Sequence, residues 1–383
     1  MLCSPRGKIY DISILGFGIS SFCFLLYLYN RKLIGRYRIL ICEEGSSPCL
    51  DSLNYKNVNS NSTLKSLLEP FRIEMFNEVL SEVDKIYNLD SYINLSDYNK
   101  IIKSLVSVFL EHLNKLDNID IKFNFKVKNI SHASSGIKIG TRLSKTCVIS
   151  MGAQQDIDQL IAQDTDDLLI GKISKCILPH LIFTNRVDFK NFLNKKIGII
   201  GSSHSSLSVV DALISKGVNP ENISLLCRND FKVFFNSREA CLNRNFKFNE
   251  EDICTETQTV NRFDGLRENS KKIYLNLDKY GIQKIHRTPI SCAGFDVIVP
   301  CWGYYKKLPK INGRLYKQSA GSNKNFELIV GDKTFSNIFS LGLGSNPKIK
   351  IPQKSFKRSL DGVWLYYNVI SEQLLEKILK SIN

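Results

Sequence analysis

The sequence predicts an α/β fold with two Rossmann-like dinucleotide-binding domains, the second inserted in the first, and three observations carry that prediction. Tyr10–Ser21, YDISILGFGISS, reads as a strand, a glycine turn and the start of a helix, and the next apolar run, RILICE, ends on the acid Glu43. Lys196–Ser206, KIGIIGSSHSS, repeats the pattern, and ISLLCR ends on the base Arg228. The separation from first glycine to charge is the same in both, 27 positions from Gly16 to Glu43 and from Gly201 to Arg228. A strand, a glycine turn, a helix and a second strand form the phosphate-binding half of a dinucleotide site.

Size and composition set the frame. A chain of 383 residues predicts two or three packed units rather than one simple core. At 43% hydrophobic and 23% charged residues the composition is that of a globular protein. The net charge of +15 comes from scattered Lys and Arg, with no basic run of five, so it argues for phosphorylated cofactors rather than nucleic acid. The 11 cysteines lack CxxC spacing, and Cys42, Cys147 and Cys227 fall in apolar strand-like runs. They read as buried free thiols of a reducing compartment, the cytoplasm. Five dispersed histidines offer no metal-ligand spacing.

Ile12–Tyr29 carries no charge over eighteen residues and is followed by Arg31 and Lys32, which resembles a membrane span. Its two glycines and three serines, and its direct join to a second strand, argue for strand, turn and helix instead. No membrane partner is expected.

Each element follows in order. Ile9–Leu15 is a strand, Ile19–Asn30 a helix and Tyr37–Cys42 a strand. Asp51–Thr63 is polar and reads as a loop, while Leu64–Leu80 and Ser96–Leu116 have helical periodicity. Ile119–Ile130 and Gly136–Gly140 read as strands, and Thr146–Gly152 as a buried strand ending in glycine. The second unit begins at Lys196 and adds strands at Lys284–His286 and Phe295–Pro300. Ile338–Gly344 and a helix over about Leu360–Lys380 close the chain. The expected domains are 1–185 with 293–383, and an inserted 186–292.

In GFGISS, Gly16 permits the tight turn and Gly18 lets the backbone approach a pyrophosphate seated on the helix N-terminus. Ser21 fills the helix-packing position. Glu43 would accept from a ribose diol and repel a 2′-phosphate. In GSSHSS, Gly201, Ser203 and Ser206 take the three positions, with His204 beside the pyrophosphate or capping the turn. Arg228 stands where an acid would select NADH. A charge-assisted bond to a 2′-phosphate contributes roughly 1.5–3 kcal/mol, which favours NADPH.

With these landmarks the chain resembles two-dinucleotide flavoproteins, and most closely the flavin-dependent monooxygenases of the flavin-containing and ornithine/lysine N-hydroxylase type. YDISILGFGISS is similar to their FAD fingerprint and CVISMG to their strand ending in A-T-G. Asp296–Tyr304, DVIVPCWGY, is similar to D-x₄-A-T-G-Y, with Cys301 and Trp302 replacing Ala and Thr and with Gly303 kept at the NADPH side. Asn337–Gly344, NIFSLGLG, resembles the closing flavin strand and puts Gly344 at the FAD. The frame ahead of the second unit holds Asn185, Phe189 and Lys190, without the family's His; His180 is out of register. Ser62–Pro70 resembles a segment carrying a substrate-side lysine, which maps to Lys65; a solvated helix face is the other reading of that residue.

The resemblance implies an FAD- and NADPH-dependent oxidoreductase. In such a monooxygenase, O₂ and a C4a-(hydro)peroxyflavin oxygenate a small amine, thioether or carbonyl compound. Two alternatives stay open: an NADPH-linked flavin reductase without oxygen insertion, and a nucleotide-binding protein without catalysis. The redox cysteine pair of disulfide reductases is not matched, since Cys42 and Cys49 are separated by six residues. The final helix is expected to aim its N-terminus at the flavin or to serve packing alone.

Overall fold

The computed structural model describes residues 9–50, 54–133, 136–155, 176–255, 257–262, 264–286, 292, 294–301, 303–316, 320–323, 326–343 and 362–382. Two parallel sheets organise it, as the sequence predicts. In the first, strand β1 (Ile9–Leu15) runs parallel to β2 (Ile39–Cys42) on one side and to Arg142–Ile149 on the other. Ile119–Lys122 extends the sheet beyond β2, and Lys333–Ser340 extends it beyond Arg142–Ile149. The strand segments β2 and Val148–Ile149 are buried on both faces, which is why they read as unbroken apolar runs. An antiparallel hairpin, Asn129–Ala133 with Gly136–Ile139, joins the start of Arg142–Ile149.

Helix α1 (Ile19–Asn30) explains the membrane-like run. Ser20 through Leu28 are all buried, so the helix is apolar around its whole circumference because it is covered on every side. Phe22 stacks on Phe71 at 5.3 Å and tilts against Phe109 at 5.5 Å, while Tyr27 meets Tyr367 edge-on at 6.1 Å. At 12 residues α1 is roughly 18 Å long, short of the roughly 30 Å of a bilayer core. Among the described residues no helix is long and apolar enough to cross a membrane.

The second sheet is fully parallel, in the order Gln283–His286, β4 (Ile223–Cys227), β3 (Ile197–Ile200) and Val297–Pro300. Helix α2 (His204–Ser215) covers it, and Leu207, Val210 and Leu213 join its core. The expected boundaries shift here. Val297–Pro300, assigned above to the returning first domain, pairs with β3 in register Ile197↔Val297. Ile177, Ile182 and Phe183, expected in the first domain, also pack in the second core. The apolar contacts of a strand decide its domain, and DVIVPC has its contacts with KIGII.

Other elements differ in extent. Asn59–Thr63, expected as loop, is a strand paired with Tyr92–Asn94. Its alternating burial is carried by Ser60 and Ser62, so polar composition hid it. Leu64–Leu80 is not one helix: α-helical turns end at Leu68, Pro70 falls in a 3₁₀ turn, and a new helix starts at Asn77. Ile119–Ile130 is two strands, broken around Asn124 at φ 53°. Thr146–Gly152 lies in the strand Arg142–Ile149, which starts earlier and stops before the glycine. The closing strand starts at Lys333 and stops at Ser340. The last helix is described from Gly362 to Ile382 and contains a π turn over Tyr366–Ile370.

A Cβ placed on Gly16, at φ +93°, would overlap the Ser150 carbonyl oxygen. Gly16→Ala is therefore expected to lose about 2–4 kcal/mol from strain and overlap. Gly18→Ala, where the added atom would meet the Cys49 carbonyl at 3.2 Å, is expected to lose about 1 kcal/mol. Urea unfolding of both variants checks this order.

Candidate functional site

Ligands of parallel sheets bind at the carboxyl ends of the strands, and both glycine turns stand there. In the first, the Gly16 amide donates to the Cys42 carbonyl at 2.8 Å, which locks the turn against β2. The Phe17 amide donates to Glu43 Oε2 at 2.6 Å and the Gly45 amide to Oε1 at 2.9 Å. Glu43 is buried, so it holds the turn in shape as well as presenting charge to it. Ser21 donates to the Gly16 carbonyl at 2.7 Å, and Ser20 and Ser150 share a hydroxyl hydrogen bond at 2.8 Å. The small third-position residue thus ties helix to turn.

Gly18 is the N-cap of α1, and no side chain caps the helix. Its first amides are left for an anion, which the helix dipole favours. The gap beside Gly18 is narrow, as its distance to the Cys49 carbonyl shows. An uncapped helix start, a close backbone approach and an acid at the end of β2 fit the diphosphate and ribose of a dinucleotide.

The second turn copies the first and then departs from it. The Gly201 amide donates to the Leu226 carbonyl at 3.0 Å, and a Cβ on Gly201, at φ +126°, would lie 2.7 Å from the Cys301 carbonyl oxygen. Here the helix caps itself: Ser206 Oγ donates to the Ser203 carbonyl at 2.7 Å and accepts from the Ser203 amide at 3.3 Å. His204 shares a hydrogen bond between Nε2 and the Gly265 carbonyl at 3.3 Å. Burial pushes its basicity down, and Arg267 pushes the same way. It therefore ties the start of the helix to Gly265.

Arg228 is exposed just past the end of β4. Behind it, Asp230 pairs with Lys284 at 3.2 Å and His286 at 3.1 Å. Two further cations belong to the second unit, Arg267 being close enough to His204 to oppose its protonation. Arg262 is buried, and Arg267 donates to the Arg262 carbonyl while stacking over Phe234 at 4.3 Å. Their spacing follows no motif, so no sequence signal marked them.

The other expected residues fall as follows. Gly303, at φ +95°, is exposed, and its carbonyl accepts from Gln155 at 3.2 Å. Trp302 and Gly344 lie outside the described residues. Lys65 is exposed in the short helix Leu64–Leu68, and its amide donates to the Leu89 carbonyl at 2.8 Å. Asn185 accepts from Asn57 at 2.5 Å and ties the 54–63 segment to the second unit. Just past Gly303, Tyr305–Lys306 pairs antiparallel with Ala153–Gln154, a two-stranded strap from the second unit back to the first. Lys306 is buried and donates to the Leu341 carbonyl at 2.8 Å; desolvation pushes its basicity down to about 7.

No protein-family model matches the sequence, and no curated protein matches it. Solved structures do. An ornithine hydroxylase from Pseudomonas aeruginosa is 14% identical, covers 98% of this chain and 100% of its own, and has a TM-score of 0.56. A cadaverine monooxygenase of Erwinia amylovora, bound to FAD, is 11% identical over 97% of this chain and 95% of its own, with a TM-score of 0.56. A bacillithiol disulfide reductase from Staphylococcus aureus is 12% identical over 97% and 99%, with a TM-score of 0.54. The chain has the fold of two-dinucleotide flavoproteins over nearly its whole length.

The His204 environment makes a pH prediction. Its folded pKa lies below the unfolded value of about 6.5, so the unfolded chain binds more protons and stability falls as pH drops below that value. His204→Asn is expected to flatten the loss between pH 7 and pH 5, read as urea midpoints for both proteins.

Proposed function

We propose that the protein is an FAD- and NADPH-dependent oxidoreductase of the monooxygenase type, with FAD at the first glycine turn and NADPH at the second. The observation that carries this reading is the pair of glycine turns, each bonded from its first glycine amide to the next strand, that end on opposite charges, Glu43 and Arg228. The uncapped start of α1 supports a diphosphate there, and Glu43, with two lone pairs on each oxygen, supports a ribose diol beside its two backbone donors. Arg228 supports a 2′-phosphate on the second nucleotide. The flavin, when bound, supplies hydride acceptance from NADPH and activation of O₂. The chain's own part is to hold each nucleotide at the carboxyl edge of its parallel sheet.

The ornithine hydroxylase and the cadaverine monooxygenase act, by their names, on amines. That supports a small amine as the substrate class, ahead of thioethers and carbonyl compounds. The disulfide reductase fold supports a second reading, hydride transfer without oxygen insertion. A thiol-based version is disfavoured because burial pushes Cys42 up to about 12, far from a working thiolate.

NADPH oxidation measured with peroxide release, against a panel of amines and thioethers, separates the readings. Monooxygenation predicts that one substrate class speeds NADPH oxidation and suppresses peroxide; oxidation without coupling to any of them supports the reductase, and no flavin in the folded protein defeats both. Arg228→Ala is expected to raise KM for NADPH roughly tenfold to a hundredfold and leave that for NADH within about twofold. Equal losses for both cofactors would remove Arg228 from the 2′-phosphate.

A further inference from the structure

One segment of the first unit is laid on the second. Tyr55 and Val58 pack against the second core, whereas Leu64 belongs to the first. Six positions separate Val58 from Leu64, and the strand Asn59–Thr63 between them is held by Tyr92–Asn94. The bridge is therefore short and stiff. Three hydrogen bonds fasten its outer end. The Asn57 side-chain amide donates to Asn185 Oδ1 at 2.5 Å and to the Ile182 carbonyl at 3.2 Å, and the Lys56 amide donates to the Phe183 carbonyl at 2.9 Å. The Tyr55 ring tilts against Phe183 at 5.3 Å, and its hydroxyl meets that of Tyr304, one residue ahead of the strap, at 3.4 Å. Ile182 and Phe183 lie in the second core, so this clasp grips the body of that unit.

The strap is a ladder of two residue pairs, which by itself leaves rotation of one unit against the other open. The clasp adds a second attachment, made by a different stretch of each unit. Resting on the two-nucleotide reading above, we propose that Asn57 and Asn185 are positioning residues. Their clasp sets the angle between the two sheets at which hydride passes, and it keeps that angle with or without ligands. The hydride carries two electrons from NADPH to the flavin and leaves NADP⁺. Each nucleotide is held by a different unit, so the separation of the reacting atoms depends on how the units sit rather than on either glycine turn. Those atoms must approach within about 3–3.5 Å, and a misplacement of about 1 Å costs roughly a hundredfold. Loss of the clasp therefore acts on the transfer rate and leaves each binding site as it was.

Two variants test this. Asn57→Ala removes the donor. Asn185→Gly removes the acceptor and keeps the turn, because Asn185 stands at φ 55° and glycine adopts that conformation without strain. Spin labels on p-acetylphenylalanine at Ile86 and Leu242, exposed residues of the first and second unit, read the angle between the units in the ligand-free protein. The wild type is expected to give one narrow inter-label distance that neither FAD nor FAD with NADP⁺ moves, and both variants a broadened one. In the FAD-loaded variants, NADP⁺ affinity is expected to stay within about twofold of wild type while flavin reduction by saturating NADPH slows about tenfold or more. A wild-type distance that shifts with ligand, a distribution unchanged in the variants, or a reduction rate that holds or falls only in step with NADP⁺ affinity overturns the inference. Failure of NADPH to reduce flavin in the wild type instead overturns the cofactor reading, and the distances still report on the clasp.

Discussion

Everything on the functional edges depends on two places where backbone touches backbone. Gly16 lies against Ser150 and Met151, and Gly201 lies against Cys301, at separations no side chain could share. In each case the turn from strand to helix is pressed onto the end of the neighbouring parallel strand, and the glycine amide is bonded to the strand on the other side. Three strand ends are thereby fixed within one turn. The helix start is then aimed by the sheet rather than by its own cap, which is the arrangement an anion site needs. The glycines matter first as packing and second as space for a ligand.

The two copies have diverged in ways that bear on what they hold. The first turn keeps its helix amides uncapped and buries the acid that shapes it. The second uses Ser206 to satisfy the Ser203 amide and carries its base on the exposed rim. A phosphate arriving at the second turn competes with an internal cap, whereas one arriving at the first does not. That asymmetry suits one ligand that is retained and one that exchanges, as a flavin and a nicotinamide cofactor do in the proposed reaction.

Much of this was legible in the sequence because it is local. Strand β1 and helix α1 have the bounds that YDISILGFGISS predicts, since alternation, glycine and an apolar helix act within twenty residues. What was not legible is long-range. Val297–Pro300 is equally apolar in either domain, and its pairing with β3 alone assigns it to the second. Asn59–Thr63 is a strand whose inward residues are serines, so no hydrophobic pattern announces it. Ala153 and Lys306 come together across about 150 residues, through a strap that no turn motif encodes. The bond between His204 and the Gly265 carbonyl likewise joins residues that no spacing rule connects.

The central claim is that one chain holds two different dinucleotides in two independent sites. Calorimetric titration of the flavin-free protein with FAD, followed by NADP⁺ titration of the FAD-loaded protein, tests it most directly. The account predicts one FAD and then one NADP⁺ per chain, with FAD undisturbed by the second ligand. Displacement of FAD by NADP⁺, or a single saturable event shared by both, would contradict it.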